Sequence, residues 1–297
     1  MRGGGTTADT HSALGDNSLV IGGRAVASAG KEPTQEGRHP ETEESCGGMR
    51  PTWRSIWTEV NARLGDADAQ YALAEAWRQG LDGKAVDLST AVYWYRRSAK
   101  AGHLAAQTML AFLLANGLGT QPNPRAAVAW YRRAARMGDV GAQNNLGYMY
   151  EKGFGVPKDE SKAALWYRLA ALQHSATAQM NLAVLLLEGR GVARDETEAV
   201  LWLRRSAAQG HAPAQARLGL CLRDGTGCAA DPVEAFRWLS RAAQRGNRDA
   251  MTALAQIYEQ GAGAATDEVE AADWSQRAAM LRQAVAGAGA ADPAQRL

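Results

Sequence analysis

Two alternating patterns of apolar residues run along the chain, and each has the spacing of an amphipathic helix. In the first pattern an alanine is followed by apolar residues four and eight positions later, as in Ala142, Leu146 and Tyr150. In the second pattern alanines flank a tryptophan, as in Ala163, Trp166 and Ala170. Apolar residues at such intervals form one face of a helix. The sequence therefore predicts pairs of short helices, in which the alanines allow close approach and the tryptophan fills the gap.

Residues that end or start helices stand at the borders of these patterns. A glycine, which is favoured in the left-handed conformation past a helix end, follows each first helix. An Asp or Asn, which caps a helix N-terminus, precedes each second helix. The glycines are Gly80, Gly117, Gly153, Gly189, Gly225 and Gly261, and the caps are Asp87, Asn123, Asp159, Asp195, Asp231 and Asp267. These signals predict a helix–turn–helix unit in each repeat.

The helix pair recurs with a fixed period. Six tryptophans stand 36 residues apart, at Trp94, Trp130, Trp166, Trp202, Trp238 and Trp274. A period of this length is typical of a solenoid, in which each unit packs on its neighbours. The pattern predicts six repeats, with the boundaries 65–101, 102–137, 138–173, 174–209, 210–245 and 246–282.

The segments on either side of the repeats have different patterns. Residues 1–50 are rich in Gly, Thr, Ser, Glu and Pro without a period, which predicts a disordered leader. Periodicity begins after Met49, and we hypothesise that translation starts there. Residues 51–64 match the second helix of a repeat and are predicted to form an N-terminal capping helix. Residues 283–297 contain Gly and Pro and are predicted to be a frayed tail.

Composition excludes several classes of protein. Hydrophobic residues make up 46% of the 297 residues, and the net charge of +2 gives no strong attraction for nucleic acid or anionic membranes. The chain has no apolar run long enough to cross a bilayer, and the N-terminal segment lacks the apolar core of a signal peptide. The three cysteines form neither a disulfide framework nor a zinc pattern. We therefore expect a cytoplasmic protein.

The third repeat carries a long motif, A-x-x-x-L-G-x-x-Y-x-x-G-x-G-V-x-x-D-x-x-x-A-x-x-W-Y-x-x-A-A, over residues 142–171. This motif resembles the Sel-one-like repeat family, a branch of the tetratricopeptide-like superfamily, and the resemblance covers about residues 51–282. It implies an all-α fold, an α/α solenoid of helical hairpins in a right-handed superhelix. It also implies a non-catalytic scaffold or adaptor, in which the first helices of the repeats line the concave side.

A row of apolar residues on the predicted first helices is the candidate binding site. The row consists of the residue two positions after the consensus leucine in each repeat. It is polar in the first and last repeats and apolar in the four repeats between them. The candidate groove floor is Phe112, Tyr148, Val184 and Leu220, with Met180 and Leu187 beside it. An apolar stretch with a polar rim favours binding of a peptide or helix. The alternative is that these side chains pack against the next repeat.

Other functions have weaker support in the sequence. Cysteine-rich members of the resembled family are assigned β-lactamase activity, but the cysteine pair that they carry in each repeat is absent. An arginine ridge, with Arg132 and Arg133 among its members, is an alternative nucleic-acid surface, although arginines also suit helix C-termini. The G-x-G turns follow helices and lack the Lys-Ser/Thr of a phosphate loop. No histidine has metal-ligand spacing, and no nucleophile motif occurs. We therefore expect no enzymatic activity, cofactor, metal or small-molecule ligand.

Overall fold

A computed structural model describes residues 53–261, 265 and 267–290, and this part of the chain contains thirteen α-helices and no strand. The helices are α1 (Trp53–Leu64), α2 (Ala67–Gln79), α3 (Leu88–Lys100), α4 (Leu104–Asn116), α5 (Pro124–Arg136), α6 (Val140–Lys152), α7 (Glu160–Leu172), α8 (Ala176–Glu188), α9 (Glu196–Ala208), α10 (Ala212–Asp224), α11 (Pro232–Gln244), α12 (Arg248–Gln260) and α13 (Glu268–Ala290). They form two compact units, with α1–α8 in residues 53–194 and α9–α13 in residues 195–290. Within each unit consecutive helices pack on one another. The predicted all-α fold of helical hairpins is confirmed.

The helix ends form where the capping residues predicted them. The Asp159 carboxylate accepts a hydrogen bond of 2.9 Å from the backbone N–H of Lys162, and the Asn123 side chain accepts one from Ala126. Gly153, just past α6, has a φ of 70°, which is the left-handed conformation. These contacts satisfy backbone groups that have no partner inside the helix.

The second glycine of each G-x-G turn is needed for space as well as for conformation. Gly155 has a φ of 75°, and a Cβ placed on it would lie 2.5 Å from the backbone of Pro124. Gly191 is similarly placed against the backbone of Glu160. In these repeats the turn therefore rests directly on the start of the preceding second helix, where no side chain fits.

In α3, α5 and α7 the buried aromatic residue is not the one that the pattern predicted, whereas in α9 the tryptophan itself, Trp202, is 5% exposed. Trp166 was expected in the buried stripe, but the structure leaves it half-buried and buries Tyr167 completely. Ala163 and Ala170 are fully buried, as expected, and Tyr167 lies between them on the same face. The indole lies one residue, about 100° of helix, away from the centre of this face.

The periodic tryptophans instead pair with arginines three residues later. Guanidinium groups lie 4.5 to 5.9 Å from the indole centroids in five pairs, which are Arg97 on Trp94, Arg133 on Trp130, Arg205 on Trp202, Arg241 on Trp238 and Arg277 on Trp274. Residues three apart are neighbours on a helix surface, and a guanidinium is attracted to the face of an indole. In these five repeats the tryptophan period therefore marks a stacking pair.

A buried glutamine joins each first helix to the preceding second helix within a unit. Its side-chain Nε2 donates to the carbonyl of an alanine eight residues earlier, at 3.0 to 3.3 Å. The pairs are Gln70 with Ala62, Gln107 with Ala99, Gln143 with Ala135, Gln179 with Ala171, and Gln215 with Ala207. Met251 occupies this position in the sixth repeat.

The C-terminal helix extends further than the sequence indicated. The predicted frayed tail began at residue 283, but α13 continues to Ala290. Alanines alternate with the glycines there, and alanine has the highest helix propensity of all residues. Residues 291–297, the predicted leader and the Met49 start lie outside the described residues. Among the helices described, none is long and apolar enough to cross a membrane.

Candidate functional site

Five of the six predicted groove residues lie on first helices of the unit formed by residues 53–194. Phe112 is on α4, Tyr148 on α6, and Met180, Val184 and Leu187 on α8. Val184 is 9% exposed, and the other four side chains are half-buried. Part of each of these four side chains is therefore accessible to a partner. We call these five residues the groove face.

The sixth predicted residue, Leu220, lies in the other unit, on α10. It is half-buried and packs against a core cluster that includes Leu239, Ala242 and Met251. The structure thus places Leu220 against the core of its own unit. Its membership of the groove remains a prediction.

Buried carboxamides lie beside the groove face. Asn181 of α8 donates to the side-chain oxygen of Asn144 on α6 at 3.2 Å, and Asn145 donates to the Tyr131 hydroxyl at 3.1 Å. Asn144 and Asn181 are each 5% exposed. Asn144 lies one turn before Tyr148 on α6, and its bond to Asn181 joins neighbouring first helices. Buried polar groups need such partners, so the first bond holds α6 and α8 in a defined register and the second joins α6 to α5.

Glu151, at the C-terminal end of α6, is a buried carboxylate with three donors. The Tyr167 hydroxyl donates to its Oε2 at 2.9 Å, while Lys152 Nζ and Arg190 Nη2 lie 3.0 and 3.1 Å from its Oε1. Burial acts to raise the pKa of Glu151, but the hydrogen bonds from Lys152, Tyr167 and Arg190 outweigh it, and the pKa is lowered from its ordinary value. Burial and the nearby carboxylate raise the pKa of Tyr167 well above its usual range. Glu151 is therefore charged, and Tyr167 stays a neutral donor.

Arg190 joins Glu151 to two other carboxylates. Its guanidinium lies 2.9 Å from Glu160 of α7 and 3.0 Å from Glu188 of α8. Sequence reasoning missed this residue, although a signal was present. Arg190 is the middle residue of a G-x-G turn. In the other described G-x-G turns this residue is uncharged, as Leu118, Phe154 or Thr226.

A second carboxylate network lies at the start of the array. Glu75 of α2 pairs with Arg78 at 2.5 Å and accepts a hydrogen bond from the Tyr95 hydroxyl. Burial and the Glu75 carboxylate raise the pKa of Tyr71 to about 12. Glu75 stands two positions after Leu73, at a polar end of the row that contains Tyr148, and its carboxylate is engaged by Arg78 and Tyr95 of the same unit.

The arginine ridge is largely engaged in contacts within the protein. Arg204 pairs with both oxygens of Glu234, and Arg132 donates to the Tyr150 hydroxyl at 3.0 Å. Others stack on tryptophans, as described above. These contacts within the protein account for the periodic arginines and do not require that the ridge bind a nucleic acid.

His103 and Cys221, among the described residues, are also parts of the scaffold. His103 caps α4 by accepting a hydrogen bond from the backbone N–H of Ala106 at 3.1 Å. Burial raises the pKa of the Cys221 thiol to about 11. Within the described residues, no three His, Cys, Asp or Glu side chains form a group that could hold a metal ion.

Comparison with known proteins identifies the repeat. Six consecutive segments match the Sel1 repeat, at residues 67–103, 104–139, 140–175, 176–211, 212–247 and 248–282. The chain belongs to the Sel1 repeat family. Proteins of this family are generally protein-interaction scaffolds and typically non-enzymatic. Each matched segment begins two residues after the corresponding predicted repeat start.

Two solved Sel1-type structures are similar to this chain. A protective antigen of uropathogenic Escherichia coli strains, which displays an SLR fold, is 31% identical with a TM-score of 0.72, over 76% of this chain and 48% of the antigen. This Sel1 chain thus spans about half the length of that protein. A Sel1 repeat protein from Oxalobacter formigenes is 30% identical with a TM-score of 0.66, over 72% of this chain and 85% of that one. A search of curated proteins found no significant match.

Proposed function

We propose that this Sel1 repeat protein is a non-catalytic adaptor that binds a peptide or helix of a partner protein on the groove face. The observation that carries the proposal is the row of half-buried apolar side chains on α4, α6 and α8, centred on Tyr148. Apolar side chains that remain partly accessible on a rigid helical face can take up the apolar side of a peptide or helix.

The surroundings of Tyr148 support a defined site. The Asn144–Asn181 hydrogen bond joins α6 to α8, and the Glu151–Arg190 pair joins the end of α6 to the turn after α8. Binding then costs little conformational entropy, because the helices are already held in place. Lys152, whose Nζ lies 5.9 Å from the Tyr148 ring centroid, provides a positive charge beside the apolar anchor. A partner with an apolar residue followed by a carboxylate fits this arrangement.

The proposal can be tested with peptides selected against the purified full-length chain. A displayed library of random peptides supplies binders, and their affinities are measured for the wild type and for Tyr148→Asp. A truncated hot-spot aromatic costs about 2 kcal/mol or more, so we expect at least a tenfold loss of affinity. Leu165→Asp is the matched control, because Leu165 is 55% exposed on α7 of the same repeat.

The two variants separate binding from folding. We expect the far-ultraviolet circular dichroism and melting curve of Tyr148→Asp to match those of the wild type, and Leu165→Asp to keep its affinity. Equal affinity of Tyr148→Asp and wild type for every selected peptide would contradict the proposal. Unfolding of Tyr148→Asp would also contradict it, since the residue would then belong to the core.

A further inference from the structure

Helix α1 carries large apolar side chains on the face that points away from the protein. Trp53 is 79% exposed, Trp57 62% and Leu64 81%, with Ile56 at 40% and Val60 at 38%. These five residues follow helical spacing and form one stripe, the α1 stripe. The opposite face of α1 carries Ser55, 7% exposed, and Ala62, which is fully buried and accepts the hydrogen bond from Gln70 of α2. The helix thus packs on its repeat through small residues.

This arrangement is the reverse of what the end of a repeat array requires. Terminal helices of solenoids present a polar outer face, because nothing covers them. Single exposed apolar residues are ordinary, but a contiguous stripe marks an interaction surface. The sequence predicted a capping helix here, and the apolar outer face indicates that this cap is itself covered.

The area of the stripe is sufficient for a small stable interface. Two tryptophans of about 250 Å² each contribute roughly 350 Å² at their exposed fractions, and the three aliphatic side chains raise the total to roughly 600 Å². Two copies would bury roughly 1,200 Å², which is the lower end of specific protein interfaces. Lys84, in the loop between α2 and α3, lies 3.8 Å from Glu59 of α1, and Leu81 and Val86 of the same loop are also exposed.

The register of the stripe is self-complementary. Trp53, Trp57, Val60 and Leu64 are placed symmetrically about the midpoint between residues 58 and 59. An antiparallel copy therefore sets Trp57 opposite the partner's Val60 and Trp53 opposite the partner's Leu64. Two-fold dimers use one surface twice, so the surface must match its own reverse.

The charged residues beside the stripe complete the pattern of an interface. Glu59 and Arg63 form an ion pair at 2.5 Å along the edge of the helix. An apolar centre with a polar rim is the usual anatomy of a protein interface. The segment before α1 offers a poorer cover, since its longest apolar stretch is Leu19–Ile21.

We propose that α1 is a dimerisation helix, through which two copies of this chain pair their α1 stripes in antiparallel orientation about a two-fold axis. The pairing buries both tryptophans of each chain. It is independent of the groove face, which lies on other helices.

The mass of the purified full-length chain tests the proposal. Light scattering after gel filtration should give twice the monomer mass of 31.6 kDa for the wild type at micromolar concentration. Trp57→Asp and Leu64→Asp should each give the monomer mass with unchanged helicity, since both residues are exposed in the single chain. Leu165→Asp, which changes a leucine that is 55% exposed on α7, should remain a dimer. A monomeric wild type, or dimers in both stripe variants, would overturn the proposal.

Disulfide cross-linking tests the orientation. With Cys46 and Cys228 changed to serine, single cysteines are introduced as Val60→Cys or Trp53→Cys. In the antiparallel pairing two Val60 positions lie about 4.5 Å apart along the axis and two Trp53 positions about 16 Å, from the rise of 1.5 Å per residue. Mild oxidation should therefore cross-link Val60→Cys and leave Trp53→Cys as separate chains. Cross-linking of both, of neither or of Trp53→Cys alone would overturn the antiparallel arrangement.

Discussion

The buried carboxylate of Glu151 gives a prediction whose size follows from its contacts. Glu151→Gln keeps the shape of the side chain and removes its charge. The amide oxygen can still accept from the Tyr167 hydroxyl, but the amide NH₂ then faces the guanidinium of Arg190, donor against donor. Hydrogen bonds to a charged group contribute about 1.5–3 kcal/mol each, and the Lys152 contact counts for little because that side chain is 41% exposed.

We expect Glu151→Gln to lower the free energy of unfolding by about 2 kcal/mol at pH 7. This is below the ~3–5 kcal/mol for breaking a fully buried ion pair, because Arg190 is 25% exposed and keeps Glu160 and Glu188. For a chain of this size the loss corresponds to a fall in Tm of about 4–8 °C.

The direction of the Glu151 pKa shift determines how the stability loss in Glu151→Gln depends on pH. The pKa of Glu151 is lowered by folding, so the folded state binds its proton more weakly than the unfolded state does. Its contribution to stability is complete above the ordinary carboxylate pKa of 4.5 and disappears as the pH falls through the folded pKa. Glutamine does not titrate. The difference between wild type and variant should therefore be constant from pH 6 to 8 and shrink below pH 4.

Thermal and urea unfolding at pH 7, 5, 4 and 3 measure this difference. Glu188→Gln is the control, because Glu188 pairs with the same arginine but its side chain is 35% exposed. We expect the control to lose less than about 1 kcal/mol, as exposed pairs do. A difference between wild type and Glu151→Gln that is the same at pH 3 and pH 7, or no larger than that of Glu188→Gln, would refute the reasoning.

Two further predictions rest on single contacts. A Cβ at Gly147 would lie 2.7 Å from two ring carbons of the fully buried Tyr167. Gly147→Ala should therefore lose about 1–3 kcal/mol of stability through overpacking and regain about 1 kcal/mol through helix propensity. A higher Tm than that of the wild type would contradict this. Burial raises the pKa of Cys221 to about 11. Maleimide at pH 7.5 should therefore label the less buried Cys228 before Cys221, which mass spectrometry of digested samples can follow. Faster labelling of Cys221 than of Cys228 would contradict this.

Periodicity and capping residues were sufficient to predict the helices. Apart from α10, where His211 makes no side-chain capping bond, the helices between Ala67 and Gln260 begin beside a capping residue and end beside a glycine or a short turn, so local chemistry determines their bounds. The exchange of Trp166 for Tyr167 as the buried residue was not predictable in this way. Both positions border the apolar stripe, and the choice depends on how neighbouring helices cross.

The polar networks were missed because they join residues far apart in sequence. Glu151 and Arg190 are 39 positions apart, and each reads as a surface charge within its own repeat. For Arg190 a signal lies in comparing repeats, since Leu118, Phe154 and Thr226 occupy the equivalent positions, but for Glu151 there is none, because the sixth repeat also has a glutamate there, Glu259. The exposed apolar face of α1 was not predicted either, because a hydrophobic pattern gives the helix but does not say which neighbour covers it.

Contact between the groove face and a bound peptide is the central claim, and photo-cross-linking tests it directly. A benzoylphenylalanine replaces Tyr148 in one sample and Leu165 in another, and each is irradiated with the same selected peptide. The account predicts a covalent adduct from position 148, competed by unlabelled peptide, and none from position 165. An adduct from position 165 alone, or equal adducts from both, would contradict it.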